Sequence, residues 1–179
     1  MQEIYNYIET LPENIIQSLV WYTGDGYLFF NESLRKKMIP KEKNHFDNIQ
    51  KAFLNCPTLK NSIIVYKGVK ITDEKDMYKK DLAYVSTGTN YESTETFRGS
   101  KCCVLQITVS AGSKVLPVYL LSENESEDEI LLDKGGNFIV KGSTMKDNMK
   151  IIFITYTSEN CNIVSDLNLI NKKNRGKNK

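Results

Sequence analysis

Ser126-Glu127-Asp128-Glu129-Ile130-Leu131-Leu132 runs straight into Asp133-Lys134-Gly135-Gly136-Asn137-Phe138, and the fold turns on this stretch. Five carboxylates between Glu123 and Glu129 feed a short apolar run with strand character. On an extended backbone alternate side chains share a face, so Glu127 and Glu129 project the same way. Two carboxylates side by side at the lip of a strand suit a cation, a ribose or a developing positive charge. They also repel, which raises the pKa of one, a common property of working acids and bases. A solvated acidic hairpin loop leading into a buried strand has the same local sequence. The rest of the chain decides between the two.

The 179 residues are 40% hydrophobic, which predicts one globular domain with a sizeable core. No apolar run approaches the length of a bilayer crossing, so no membrane partner is expected. Met1-Gln2-Glu3-Ile4-Tyr5-Asn6 has neither a basic segment nor an apolar core, so no secretory signal is visible. Cys56, Cys102, Cys103 and Cys161 lack C-x-x-C spacing, and the vicinal pair suits a structural disulfide poorly. That usage favours a reducing intracellular compartment. With His45 the sole histidine, no metal site is recognisable. Five of the 24 basic residues lie in 171–179, leaving 19 against 22 acidic groups in the body. The basic character therefore belongs to a tail, and a nucleic-acid-binding domain is disfavoured.

Apolar positions Ile4, Tyr7, Ile8, Leu11, Ile15, Ile16, Leu19 and Val20 predict helix from Glu3 to Val20, broken near Pro12. Gly24-Asp25-Gly26 reads as a turn, Tyr27 to Lys37 as a second helix, and His45 to Asn55 as a third, ended by Pro57. Strands follow: Ser62 to Val69, Leu82 to Ser86, Cys102 to Val109, Val115 to Leu121, Glu129 to Leu132, Asn137 to Lys141 and Ile151 to Thr157, with a helical piece over Glu92 to Arg98. Helices first and strands later predict an α+β domain over 1–170, with N-terminal helices packed on a mostly antiparallel sheet core. Residues 171–179 read as a basic tail without structure of its own.

Four separated segments carry a family resemblance. Trp21-Tyr22-Thr23-Gly24-Asp25-Gly26-Tyr27, continuing through Asn31 to Leu34-Arg35, resembles the tyrosine-threonine-glycine, tyrosine, asparagine, leucine-arginine signature of the ADP-ribosyltransferase exoenzymes. Ile64-Val65-Tyr66-Lys67-Gly68 is similar to their strand ending in tyrosine-arginine-glycine. Tyr84-Val85-Ser86-Thr87-Gly88, with Phe97 eleven residues past Ser86, resembles their serine-threonine-serine strand and following phenylalanine. Glu127-Asp128-Glu129 is similar to their glutamate-x-glutamate element. A lone E-x-E is weak, but four segments in order on a helix-then-strand layout are specific. The resemblance covers about Ile15 to Tyr156 and implies the family's two-sheet core.

What the resemblance implies is mono-ADP-ribosyl transfer from NAD to arginine on a protein acceptor, by a toxin-like effector expected to act as a monomer in host cytoplasm. The transition state resembles an oxocarbenium ion, so a fixed carboxylate near the anomeric carbon stabilises it. The resemblance gives that role to Glu129, with Ser86 orienting it. Glu127 falls on the position where a glutamate accompanies transfer to arginine. A guanidinium with a pKa above about 12 is a poor nucleophile, and a carboxylate both aims it and takes its proton. Gly68 is expected to let the nicotinamide amide approach the main chain. Tyr22, Tyr27 and Asn31 are expected to line the phosphate and nicotinamide side, and Phe97 to wall the ring.

Three departures stand out. Lys67 replaces the arginine that forks onto an NAD phosphate in relatives, keeping charge but losing bidentate geometry. Gly88 replaces the third residue of the serine-threonine-serine strand, and Asn124 stands where many relatives carry an aromatic. The rivals are an NAD glycohydrolase on the same fold, a non-catalytic protein keeping an NAD pocket, and a nucleic-acid-associated protein acting through the tail.

Overall fold

The first helices follow directly from where the apolar residues fall. The computed structural model describes residues 1–70, 82–92, 94, 102–121, 128–146 and 148–159. Helix α1 (Gln2–Glu9) buries Ile4 and Ile8, one turn apart on the same face. Pro12, with φ −60°, caps the start of α2 (Glu13–Trp21), where its missing N–H costs nothing. The chain then makes a wide π-type turn over Tyr22–Gly26, broken from helical geometry at Gly24 (φ −75°, ψ −110°). Gly26 is required there, because a Cβ on it would lie 2.5 Å from the Trp21 ring. That close approach starts α3 (Tyr27–Arg35) immediately, and α4 (Lys43–Asn55) follows.

Trp21 stacks on His45 at 4.4 Å and meets Phe30 edge-on at 5.2 Å. His45 Nδ1 lies 3.0 Å from Ser18 Oγ, so the lone histidine is a packing residue that ties α4 to α2. Leu19, Tyr22, Phe30, Ile49 and Phe53 close this helical layer over the sheet. Each fully buried side chain of this size contributes about 1.5–3 kcal/mol.

Seven strands follow: β1 (Ile63–Lys70), β2 (Val85–Gly88), β3 (Cys102–Val109), β4 (Val115–Pro117), β5 (Glu129–Leu132), β6 (Asn137–Lys146) and β7 (Met149–Thr157). Their order across the sheet is β4-β5-β2-β1-β3-β7-β6. Among the described residues only β3 and β7 pair in parallel. This is the expected α+β architecture. The strands form one seven-stranded sheet with a seam in it: β1 meets β3 over its whole length, yet meets β2 at the single register pair Tyr66↔Gly88.

Some boundaries differ from expectation. The strand expected over Leu82 to Ser86 lies at Val85–Gly88, because Ala83 and Tyr84 are buried in the core ahead of the ladder. The strand expected over Val115 to Leu121 ends at Pro117 and becomes a 3-10 turn over Val118–Leu121. Proline offers no N–H to continue a ladder and is tolerated here because β4 is an edge strand. Beyond a bulge between Val140 and Gly142, β6 continues five residues past its expected end at Lys141, through exposed residues paired with β7. Backbone pairing rather than side-chain burial carries that extension. The expected helix over Glu92 to Arg98 falls mostly outside the described residues, as does 171–179. No helix among the described residues is long and apolar enough to cross a membrane.

Candidate active site

β2 and β5 bring the two central candidates together. The register runs from Val85↔Leu132 through Ser86↔Leu131 to Gly88↔Glu129. Ser86 and Gly88 are two residues apart on one strand, so Ser86 and Glu129 project from the same face. Gly88, directly opposite Glu129, adds no side chain there. Its neighbour Thr87 donates to the Ile130 carbonyl oxygen at 2.6 Å and is buried on the other face. Glu129 is half-buried and opens β5, while Ile130, Leu131 and Leu132 anchor the strand in the core.

Tyr22 sits beneath these two. It is fully buried, with its hydroxyl 3.0 Å from Asn31 Nδ2 and 3.2 Å from Asn31 Oδ1. Burial pushes its phenol far above the ordinary value; hydrogen bonding to Asn31 pulls it back, the Glu129 carboxylate raises it, and Arg35 and the Ser86 hydroxyl lower it. The hydroxyl is therefore neutral across the physiological range and lies within reach of Asn31, Ser86, Glu129 and Arg35 at once. It is a fixed dipole under the site rather than a wall of an open cleft.

α3 supplies one face of this arrangement. Tyr27, Asn31 and Arg35 recur every four residues and share a side of the helix. Asn31 is buried, whereas Tyr27 and Arg35 are exposed at either end. Arg35 is a residue of the quoted signature to which the sequence attached no role, and here it is the cation whose charge reaches Tyr22. The i, i+4, i+8 spacing was the signal available to find it.

Lys67 sits elsewhere than on a free surface. Its Nζ donates to the Ser86 main-chain oxygen at 3.0 Å, across the seam where β1 and β2 share one register pair. Gly68 pairs with Val104 in the β1–β3 ladder, two residues past Tyr66, whose register pair with Gly88 marks the seam. Phe97, Glu127 and Asn124 lie outside the described residues. The described residues hold no cluster of three His, Cys, Asp or Glu suited to a metal ion. A concavity of about 380 Å³, lined by Asp47, Gln50, Phe53, Asp133 and Lys134, lies at the opposite end of β5 and shares no residue with this site.

Comparison with known proteins shows which family carries this fold. Residues 1–162 match the family model of the ADP-ribosyltransferase exoenzymes, and the chain belongs to that family. Its members transfer ADP-ribose from NAD. The fold is similar to that of Plx2a, an ADP-ribosyltransferase toxin from Paenibacillus larvae (TM-score 0.72, 18% identity, 88% of this chain and 92% of that one). It is also similar to the Clostridium limosum C3 exoenzyme (TM-score 0.71, 17% identity, 87% and 90%). Exoenzyme S from Pseudomonas aeruginosa, solved with human 14-3-3 protein beta and bound to carba-NAD, aligns at TM-score 0.68 and 16% identity, over 86% of this chain and 81% of that one. No curated protein sequence matches significantly.

Proposed function

We propose that the protein is a mono-ADP-ribosyltransferase that moves ADP-ribose from NAD to an arginine of a protein acceptor and releases nicotinamide. The observation that supports it most is the convergence of Ser86, Glu129 and the Tyr22 hydroxyl on one face of β2 and β5. In this reading the bond between the ribose anomeric carbon and the nicotinamide nitrogen breaks, and its electron pair leaves with neutral nicotinamide. Positive charge develops on the ribose. Glu129 opposes it and accepts a ribose hydroxyl hydrogen bond, at a site where such stabilisation contributes about 3–4 kcal/mol. Ser86 orients Glu129, and the buried Tyr22–Asn31 pair holds Ser86 from below.

Glu127 pairs with the acceptor guanidinium, aims one nitrogen at the anomeric carbon and takes the proton released on attack. Tyr27, Asn31, Gly68 and Phe97 border the NAD, and Arg35 adds a cation for its phosphates. Lys67 acts mainly as a brace on Ser86, since its ammonium already holds that residue's carbonyl. Residues 1–170 form the catalytic domain, and 171–179 a basic tail.

Incubating the protein with NAD labelled on the adenylate and a cell lysate tests this function. Labelled protein is expected, with one nicotinamide released per label. Nicotinamide release without labelled protein would make water the acceptor and the protein a glycohydrolase. Absence of both would leave an NAD-pocket protein without turnover.

A further inference from the structure

Asp128 stands between the two glutamates with its own partners. The β2–β5 register ends at Gly88↔Glu129, so Glu129 occupies the last ladder position, where strands fray. Two contacts extend the pairing one residue further. The Thr89 N–H donates to the Asp128 carbonyl oxygen at 3.1 Å, and Asn90 Nδ2 donates to Asp128 Oδ2 at 2.7 Å. The second is a short, charge-assisted bond between half-buried side chains. The segment that supplies these donors is itself anchored. Tyr91 meets Tyr66 of β1 edge-on at 6.1 Å, Lys146 of β6 lies 5.0 Å from the Tyr91 ring centre, and Thr94 Oγ donates to the Tyr91 carbonyl oxygen at 2.6 Å.

We propose that Asn90 and Asp128 form a positioning pair that locks the first residue of β5, and with it the Glu129 carboxylate, to the loop leaving β2. The proposal rests on Glu129 as the charge-stabilising residue. The pair closes the ladder one residue beyond Glu129 and acts on its carboxylate through the backbone of β5 rather than by contact with a reacting atom. Without it, the Glu129 backbone is held at the end of a ladder with only one main-chain bond beyond. A carboxylate displaced by about 1 Å from the developing charge costs up to about 100-fold in rate.

The test exchanges the two partners. Asn90→Asp alone sets two carboxylates against each other, and the kcat for nicotinamide release should fall about tenfold or more, with KM for NAD within about twofold. Asn90→Asp combined with Asp128→Asn restores one donor and one acceptor with their roles reversed, and kcat should return to within about threefold of wild type. A double variant no better than Asn90→Asp alone, or a change confined to KM, overturns the pair. Hydrogen exchange at the Thr89 amide gives a readout independent of turnover: about tenfold faster in Asn90→Asp and restored in the double variant. A wild type that releases no nicotinamide defeats the role of Glu129, and the exchange pattern then decides the pair by itself. Unchanged Thr89 exchange in all three proteins overturns it.

Discussion

Two carboxylates bracket β5, and they differ in almost every respect. Glu129 opens the strand, half-buried on the face it shares with Ser86 and within electrostatic reach of the Tyr22 hydroxyl. Asp133 follows the strand at its other end, where burial raises its pKa to about 6, the charge of Glu159 adds to the rise, and Lys134 and Lys114 oppose it. It also borders the 380 Å³ concavity. A perturbed carboxyl beside a cavity is the usual mark of an active site. In the proposed function that mark falls at the opposite end of the strand from the charge-stabilising Glu129. What sets Glu129 apart is its place on the face of Ser86 and its charge within reach of the Tyr22 hydroxyl, and the proposed function weights that placement above the size of a pKa shift.

The sharpest way to break this comparison is to remove each charge in turn. Glu129→Gln should lower nicotinamide release from NAD by about 100- to 1,000-fold with little change in melting temperature. Asp133→Asn should leave release within about twofold of wild type. Equal losses from the two substitutions would erase the distinction between the strand ends.

Tyr22→Phe should have the next largest effect. It strips the hydroxyl from beneath Ser86 and leaves the buried Asn31 amide without that partner, which costs about 1–3 kcal/mol of stability. Release should fall about tenfold, measured on protein shown folded by circular dichroism. Full activity would mean that the hydroxyl only packs.

Lys67 separates bracing from NAD contact. If its bond to the Ser86 carbonyl is its main work, Lys67→Ala should lower kcat about three- to tenfold while KM for NAD changes little. A rise in KM at constant kcat would return the ammonium to the NAD phosphates. Lys67→Arg should keep kcat, because a guanidinium still donates to the carbonyl.

The smallest effect is thermodynamic. A folded-state pKa of about 6 against 3.8 means that the fold holds the Asp133 proton more tightly than the unfolded chain does. Ionising it therefore costs stability as pH rises from about 4 to about 6. Asp133→Asn should raise stability at pH 8, by no more than about 3 kcal/mol, and give no gain below pH 4. Calorimetry at the two pH values measures this, and a gain at pH 4 would contradict the assigned cause.

The helix-then-strand order was legible because burial is periodic: Ile4 and Ile8 on α1, and Ile49 and Phe53 on α4, face the core as their spacing requires. Ser86 and Glu129 were legible as types on strands, and the ladder explains why two residues on each strand suffice to set their face. Arg35 carries no distinctive signal in the sequence, since an exposed arginine at a helix end resembles any solvated cation. Its meaning comes from what lies across from α3. The contact of the Lys67 ammonium with the Ser86 carbonyl was hidden for a similar reason. That β1 and β2 share one register pair, leaving the Ser86 carbonyl open to a side chain, is a fact of sheet geometry with no local sequence signal. Asn90 and Asp128 are 38 residues apart, and neither type is distinctive without its partner.

The central claim is transfer to a guanidinium, and partition between acceptors measures it most directly. Wild type and Glu127→Gln would each be given NAD labelled on the adenylate with a small guanidine such as agmatine, following ADP-ribosyl-guanidine and free ADP-ribose together. Wild type should form the guanidine adduct, and Glu127→Gln should lose it by about 100-fold or more while nicotinamide release continues through Glu129. Wild type that yields only free ADP-ribose, or a Glu127→Gln variant that still forms the adduct at the wild-type rate, would contradict arginine transfer by this site.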